Sequence, residues 1–443
     1  MQPFHGIDFS KTNRIVAAVS GGGDSLALLA LLRDRLGGPA ASRILAVTVD
    51  HGLRAESAAE ARQVATLCAG LGVEHRTVRW QAPAPATGLQ AEARAARYAL
   101  LAQAARDAGA SMVLTGHTAD DQLETVTMRA ARGSGPGLAG IAPATFFFDR
   151  ACASAGIWFL RPLLRLRRSE LRSGLRDRGL AWIEDPSNED PHFERVRTRR
   201  ALSNMSERQC ETLLREQTET ASARHALEKA VAELIQAHAR EVAPGLIRLD
   251  GALLDAAATD AGRRAIAILL AFAGGTATVP DADRLRSWAE RLGTSRRATL
   301  ARCVAEQRGD VVYLRRENRG VAVSADGSAF DNRYGLCGGA NSRGEWLMPV
   351  ADEDADFEAA SGVPVAIARQ AARLQPVLRS GSERRAVWRS QAGLAWYRIL
   401  NPWPDMVPLF DLATARAVSR LAGAPDIPPP PLAKEQADGN EVL

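Results

Sequence analysis

Short apolar runs alternate with longer stretches rich in alanine, leucine and glutamate through the first part of the chain. Arg14-Ile15-Val16-Ala17-Ala18-Val19 is apolar and partly β-branched, and Leu26 to Leu32 is too rich in leucine and alanine to favour a strand. The pair therefore reads as strand then helix. Arg43 to Val49 repeats the strand pattern, followed by an Ala/Glu-rich helix over about 56–71 and a strand near His75 to Trp80. A Pro-rich turn at Pro83 and Pro85, a second alanine-rich helix over about 89–108 and a buried strand at Ser111 to Thr115 come next. This β-α-β-α alternation predicts an α/β domain with a mainly parallel sheet covered by helices on both faces. Ligands of such sheets bind beyond the carboxyl ends of the strands. Three segments fall there: Ser20-Gly21-Gly22-Gly23-Asp24-Ser25, Asp50-His51 and Gly116-His117.

Three successive glycines let a strand-to-helix turn take positive φ and approach a ligand with no Cβ in the way. The free N–H groups of such a turn, with the helix dipole behind them, suit phosphate. No lysine follows the glycines, which excludes the loop of the common nucleotide hydrolases. A tight turn capped by Asp24 or Ser25 and binding nothing is the bland alternative.

Asp50-His51 is placed to handle protons or orient a nucleotide, although turn chemistry alone also accounts for such a pair. Arg94 and Arg97 share a helix face and could reach phosphate. In Thr115 to Thr125, Thr118 and Asp121 fit a helix-capping pair. Asp120 and Glu124 at i and i+4, or Asp121 and Glu124 at i and i+3, would form a carboxylate cluster. Such a cluster beside phosphates suits Mg²⁺, here assigned to Asp120 and Asp121. Arg132 to Ile141 reads as a mobile glycine-rich loop, Arg165 to Arg176 as a basic helix, and Trp182 to Asn188 as a polar turn. Arg195 and Arg199 share a helix face as a phosphate comb.

Composition narrows the classes. The chain has 443 residues, enough for two or three domains, with 46% hydrophobic and 24% charged residues. No apolar run approaches a membrane span, and the N-terminus lacks the layout of a signal peptide, so a cytoplasmic location is expected. The five cysteines are scattered, never as Cys-x-x-Cys, against a disulfide framework or a zinc or iron–sulfur site. A net charge of +5 suits an anionic partner. The basic residues are nearly all arginine, which fits phosphate and stacks on bases, although a codon bias explains this equally well.

Beyond about residue 210 the signals weaken. A long polar helix or helix pair spans about 211–240, and terminal strands at Leu300 to Val304 and Asp310 to Leu314 close a first C-terminal domain. Trp346, Trp388, Trp396 and Trp403 then interleave with arginines and short β-like runs, broken by an acidic loop at 352–356. Buried tryptophans in a small β-rich core fit better than a nucleic-acid surface. The expected division is a catalytic domain over 1–212, a mostly helical connector with the first C-terminal domain over 213–318, a β-rich domain over 319–425, and a disordered polyproline-led tail over 426–443.

The hexapeptide at 20–25 resembles the pyrophosphate loop of the N-type ATP pyrophosphatases. Several segments occur together in the order seen in bacterial tRNA(Ile)-lysidine synthetases. They are Val49-Asp50-His51-Gly52-Leu53-Arg54, Glu92-Ala93-x-Ala95-x-Arg97-Tyr98, Gly116-His117-x-x-Asp120-Asp121-Gln122-x-Glu124-Thr125, Arg132-Gly133-x-Gly135-x-Gly137-Leu138-x-Gly140, Arg161-Pro162-Leu163-Leu164 and Glu184-Asp185-Pro186-Ser187-Asn188. The resemblance covers roughly the first half. It departs at Val196, where that family often has asparagine. It implies ATP and Mg²⁺, free L-lysine and an isoleucine tRNA with a CAU anticodon, no membrane, and compatibility with a homodimer. The wobble cytidine would be adenylated at O2 and then joined to lysine. The residues implied for ATP are Ser20, Gly21, Gly22, Gly23, Asp24, Ser25, His51, Arg97 and His117. Asp50, Asp121 and Glu124 are the catalytic candidates, unranked. Arg54, Arg132, Gly133, Asp185, Asn188, Arg195 and Arg199 are the candidates for tRNA or lysine. Two alternatives stay open: another enzyme of the superfamily, such as a tRNA thiolase or an amide synthetase, and an RNA-binding protein on an inactive scaffold.

Overall fold

The computed structural model describes residues 3–432 except 53–56, 82–88, 134, 149–155, 185–191, 193, 338–343, 350–361, 382 and 388–395. Strands β1 (Ile15–Ala18), β2 (Ile44–Asp50), β3 (Glu74–Arg79), β4 (Met112–Leu114), β5 (Ala144–Phe148) and β6 (Gly156–Leu160) build the first sheet. Helices α1 (Gly23–Leu36), α2 (Ser57–Gly70), α3 (Leu89–Asp107) and α4 (Ala119–Ala131) link the first four strands and follow β4. The order is β5-β6-β4-β1-β2-β3, parallel throughout except for β5. The wholly buried Ile15-Val16-Ala17-Ala18 of β1 is central. The chain goes from β1 to β2 on one side and to β4 on the other, so a switch-point crevice opens between the ends of β1 and β4. Two apolar clusters cover the sheet, one led by Leu28, Leu29 and Leu32 of α1 and one by Leu101, Ala102 and Ala105 of α3.

Helices α5 (Arg168–Asp177) and α6 (Glu194–Ser203) follow, then the long α7 (Glu207–His238). A five-stranded sheet comes next, with helices Asp260–Gly274 and Ala282–Ser295, and beyond it two three-stranded sheets. One of these packs Trp396 with Phe330 and Tyr334, so that tryptophan is core.

Three expectations need correction. The tail expected to be disordered from 426 is packed as far as Leu432: Ile427 and Leu432 are buried, and the Asp8 amide donates to the Pro431 carbonyl at 3.0 Å. The segment around 400–425 does not stay within the β-rich domain: strand Met406–Pro408 joins the first sheet beside β5, and helix Leu412–Leu421 packs on α7. The edge of β5 offers unpaired backbone groups, and this strand satisfies them. The glycine loop after α4 is tied down. Arg129 donates to the carbonyls of Gly137 and Gly140, both at 2.9 Å, and Gln217 donates to that of Ala139 at 2.7 Å. Pro83, Pro85, Trp388, the loop at 352–356 and the last residues of the tail lie outside the described residues.

Candidate active site

The glycine loop holds the conformation its sequence demands. Gly21 has φ +87°, and a Cβ there would lie 2.7 Å from Ile183 and 2.8 Å from Val64. The Ile183 amide donates to the Gly21 carbonyl at 2.9 Å, fixing the loop from below. Ser25 does not cap α1. Its hydroxyl accepts from the Ser20 amide at 3.1 Å and donates to the Gly22 carbonyl at 2.9 Å, closing the loop on itself. Gly22 is the N-cap residue and makes no side-chain capping bond. The start of α1 thus keeps the arrangement that binds anions. The loop after β4 sits tightly against it: a Cβ on Gly116 would meet the Asp24 carbonyl oxygen at 2.8 Å.

A cavity of about 310 Å³ opens beyond β1 and β2, lined by Ser20, Asp50, His51, Ser57 and Arg97 among others. A smaller one of about 170 Å³, lined by His51, Arg97, Tyr98, Thr115 and His117, adjoins it. The Ser57 hydroxyl, against some burial, holds Asp50 below the usual carboxylate range, helped by the Gly52 amide at 2.8 Å. Burial and then Arg97 push His51 down, and its buried Nδ1 has no hydrogen-bond partner among the described residues. His117 is pushed far down by burial and by the surrounding arginines, with Nδ1 2.9 Å from the Thr115 hydroxyl. Both rings are neutral at physiological pH. Burial also lowers the pKa of Arg97, whose guanidinium faces both cavities.

The carboxylates are arranged differently. Thr118 and Asp121 form the expected capping box on α4, Asp121 Oδ2 accepting from the Thr118 amide at 2.7 Å. The other oxygen of Asp121 accepts from Arg195 at 2.6 Å. Glu124, only 1% exposed, pairs with Arg195 and with Arg199 at 2.9 Å. Burial works against its charge, but Arg195 and Arg199 overcome that, and its pKa ends below the ordinary value. Asp120 turns away to Arg167 at 3.2 Å and to the Arg168 amide at 2.6 Å. The i, i+3 pairing of Asp121 with Glu124 is therefore the one realised.

Arg168, in the sequence one arginine of a basic helix, joins the two regions. Its guanidinium meets Asp24 at 2.9 Å, Asp121 at 3.4 Å and Glu124 at 3.5 Å. Burial opposes its charge, but the three carboxylates raise its pKa. Burial outweighs Arg168 at Asp24, whose pKa is raised. A signal was available: Arg167 and Arg168 open α5, where the helix dipole repels cations, so carboxylates had to face them. Arg161 opens the Arg161-Pro162-Leu163-Leu164 segment. It is buried and donates to the Ala142 carbonyl at 2.7 Å, Thr145 at 2.9 Å and Tyr98 at 3.1 Å.

A third cavity, of about 960 Å³, borders this cluster through Arg195 and Arg199 and includes His117 and Arg132 in its lining. Val196 is 7% exposed and also lines it. Arg132 pairs with Glu194, and Gly133 has φ +68° at the end of α4. Arg54, Asp185 and Asn188 lie outside the described residues.

The glycine loop at a parallel-sheet switch point defines a class, and residues 2–206 match the family described as PP-loop domain. A tRNA(Ile)-lysidine synthase from Mesorhizobium japonicum is 43% identical over 98% of this chain and 97% of its own length. One from Rhizobium meliloti is 35% identical over 96% and 95%. The chain belongs to the tRNA(Ile)-lysidine synthase family. Among solved structures, the U34-tRNA thiolase NcsA from Methanococcus maripaludis aligns at 18% identity, covering 49% of this chain and 76% of that one, with a TM-score of 0.40 that carries no weight in the assignment.

Proposed function

We propose that this chain ligates free lysine to position 2 of the wobble cytidine in the CAU anticodon of an isoleucine tRNA, consuming ATP and releasing AMP and pyrophosphate. Codon reading then changes from AUG to AUA. The observation that carries this is the continuity of the site: Asp24 of the phosphate loop and Asp121 and Glu124 share one guanidinium, that of Arg168. A nucleotide on the loop and an ammonium on the carboxylates would therefore be neighbours.

In the first step the cytosine O2 attacks the α-phosphate of ATP, and the bond to pyrophosphate breaks. The loop amides and the start of α1 take up the charge on the leaving group. His51, Arg97 and His117 flank the nucleotide, with neutral rings that add no proton to the developing anion. In the second step the ε-amine of lysine attacks C2 and AMP leaves. Glu124 and Asp50 are both held below the usual carboxylate range, so they suit holding the lysine ammonium better than removing its proton. Asp121 stands with Glu124 in that task. Arg54, Arg132, Gly133, Asp185, Asn188, Arg195 and Arg199 are assigned to the tRNA or lysine side.

Mg²⁺ takes one or two carboxylates together with substrate phosphates. The loop mouth fits that demand through Asp24 and Asp121, while Asp120 is committed to α5. When bound, the ion would neutralise the phosphates.

The test is incubation of the full chain with ATP, Mg²⁺, labelled lysine and tRNA, followed by nucleoside analysis. Lysidine should form only with the isoleucine tRNA bearing CAU, and poorly with the methionine tRNA that shares this anticodon. Sulfur incorporation, or product formation without RNA, would overturn the reading.

A further inference from the structure

A segment near the end of the chain lines the 960 Å³ cavity. Strand Met406–Pro408 pairs with β5 in the register Met406↔Phe147, Val407↔Phe146 and Pro408↔Thr145, and the Phe148 amide donates to the Asp405 carbonyl at 2.9 Å. The return is clasped from both sides. Arg224 of α7 holds both oxygens of Asp411, at 2.7 and 2.9 Å, and the Trp403 indole donates to Asp411 at 2.9 Å. Further on, the Asp8 amide donates to the Pro431 carbonyl at 3.0 Å. This anchoring brings Met406, Pro408 and Phe410 into the lining of the 960 Å³ cavity that Arg94, Arg195 and Arg199 also line. Met406 and Pro408 are partly exposed, while Phe410 is buried with the Arg224 guanidinium 5.4 Å from its ring centre.

The cavity thus combines cations from the catalytic domain with an apolar surface from the far end of the chain. Lysine needs carboxylates and ATP has the glycine loop, so neither calls for that apolar surface. A nucleotide needs both, with its base on apolar atoms and its phosphate on guanidinium groups. We propose that Met406 and Pro408 form the contact wall for the base of an unpaired nucleotide of the anticodon loop, making the C-terminal segment a specificity-determining part of the catalytic pocket. This rests on the reading of the substrate as RNA given above.

The test uses the full chain carrying Met406→Ala or Pro408→Glu, with Met406→Leu as the conservative control. Loss of one apolar contact with a base should raise the KM for the isoleucine tRNA about tenfold. It should weaken binding of an isolated anticodon stem-loop in parallel. The KM values for ATP and lysine and the melting temperature should stay at the wild-type level, and Met406→Leu should restore tRNA use. Unchanged tRNA KM in both Met406→Ala and Pro408→Glu overturns the proposal. So does an equal rise in the KM for ATP, which would mark a general disturbance of the sheet. If the unmutated chain makes no lysidine, the functional reading fails separately. Stem-loop binding then still decides whether this wall touches RNA.

Discussion

The phosphate loop and the carboxylate cluster lie one guanidinium apart and are built on opposite terms. Around the loop, binding capacity is left open: α1 starts without a side-chain cap, His51 Nδ1 has no partner among the described residues, and Arg97 faces two cavities. At the cluster, capacity is closed: Asp121 and Glu124 are held by Arg168, Arg195 and Arg199. The open region costs folding free energy that a ligand can recover. The closed region is a set of internal ion pairs whose partners must be exchanged before a substrate ammonium can bind there. Substitutions in the first should damage activity and spare the fold, and in the second they should affect both.

The largest effect is expected at Gly22. Its φ is −67°, and a Cβ there meets only the Ser20 hydroxyl, at 3.7 Å, so Gly22→Ala folds without strain. The added methyl obstructs phosphate approach, and turnover should fall by about two orders of magnitude, the scale of losing a donor to a developing anion. The melting temperature should stay within a degree or two. Gly21→Ala is the contrast. Positive φ and the clash with Ile183 and Val64 should cost about 1–3 kcal/mol of stability as well as activity. Wild-type pyrophosphate release from Gly22→Ala would remove the loop from the mechanism.

Glu124→Gln comes next. Breaking a buried ion pair costs about 3–5 kcal/mol. Here Arg195 and Arg199 are 42% and 37% exposed, so water compensates them and about 1–2 kcal/mol is expected, measurable by denaturant titration. The KM for lysine should rise at least tenfold while ATP affinity holds. A variant as stable as wild type would show the cluster to be less closed than its geometry.

How far the sequence foretold this contrast depends on the range of the contacts. The open region is local. Three glycines between an apolar strand and a leucine-rich helix determine the turn, and the parallel run of the strands, though not their order, follows from the β-α alternation. The closed region is half local: Thr118, Asp121 and Glu124 lie within two turns of α4, but their cations come from α5 and α6. A period can place a carboxylate on a face without saying which arginine will answer it. The C-terminal wall was illegible for the same reason in stronger form. Met406–Pro408 is too short to show alternation, and its partner β5 lies far away in the chain.

The two regions should titrate in different windows. Glu124 has a folded pKa below its unfolded value of 4.5. Its contribution is present above about pH 4.5 and is lost as pH falls through the folded pKa. His117 is also depressed, but as a base. Below about pH 6.5 the unfolded chain takes up a proton that the folded ring refuses, so stability falls with pH until the folded pKa is reached. His117→Gln should therefore flatten the stability profile just below pH 6.5, by a slope approaching 1.4 kcal/mol per pH unit. Glu124→Gln should flatten it only in acid. Identical profiles for the two variants would merge the regions into one titrating unit.

The smallest effect concerns RNA phosphate. Arg199 is already paired with Glu124. A phosphate that binds it must displace that carboxylate, so little counterion is released in the exchange. Arg94 is exposed, leans on the Tyr98 ring at 5.2 Å and donates to its hydroxyl at 3.3 Å, contacts that leave its charge without a carboxylate among the described residues. Both line the same cavity. Each free cation that meets single-stranded phosphate contributes about 0.7 to the slope of log affinity against log salt. Arg94→Ala should therefore reduce that slope by about 0.7 for an anticodon stem-loop, and Arg199→Ala by less than half as much. Equal reductions would mean that Arg199 leaves Glu124 on RNA binding, and that the cluster opens for the substrate it was closed against.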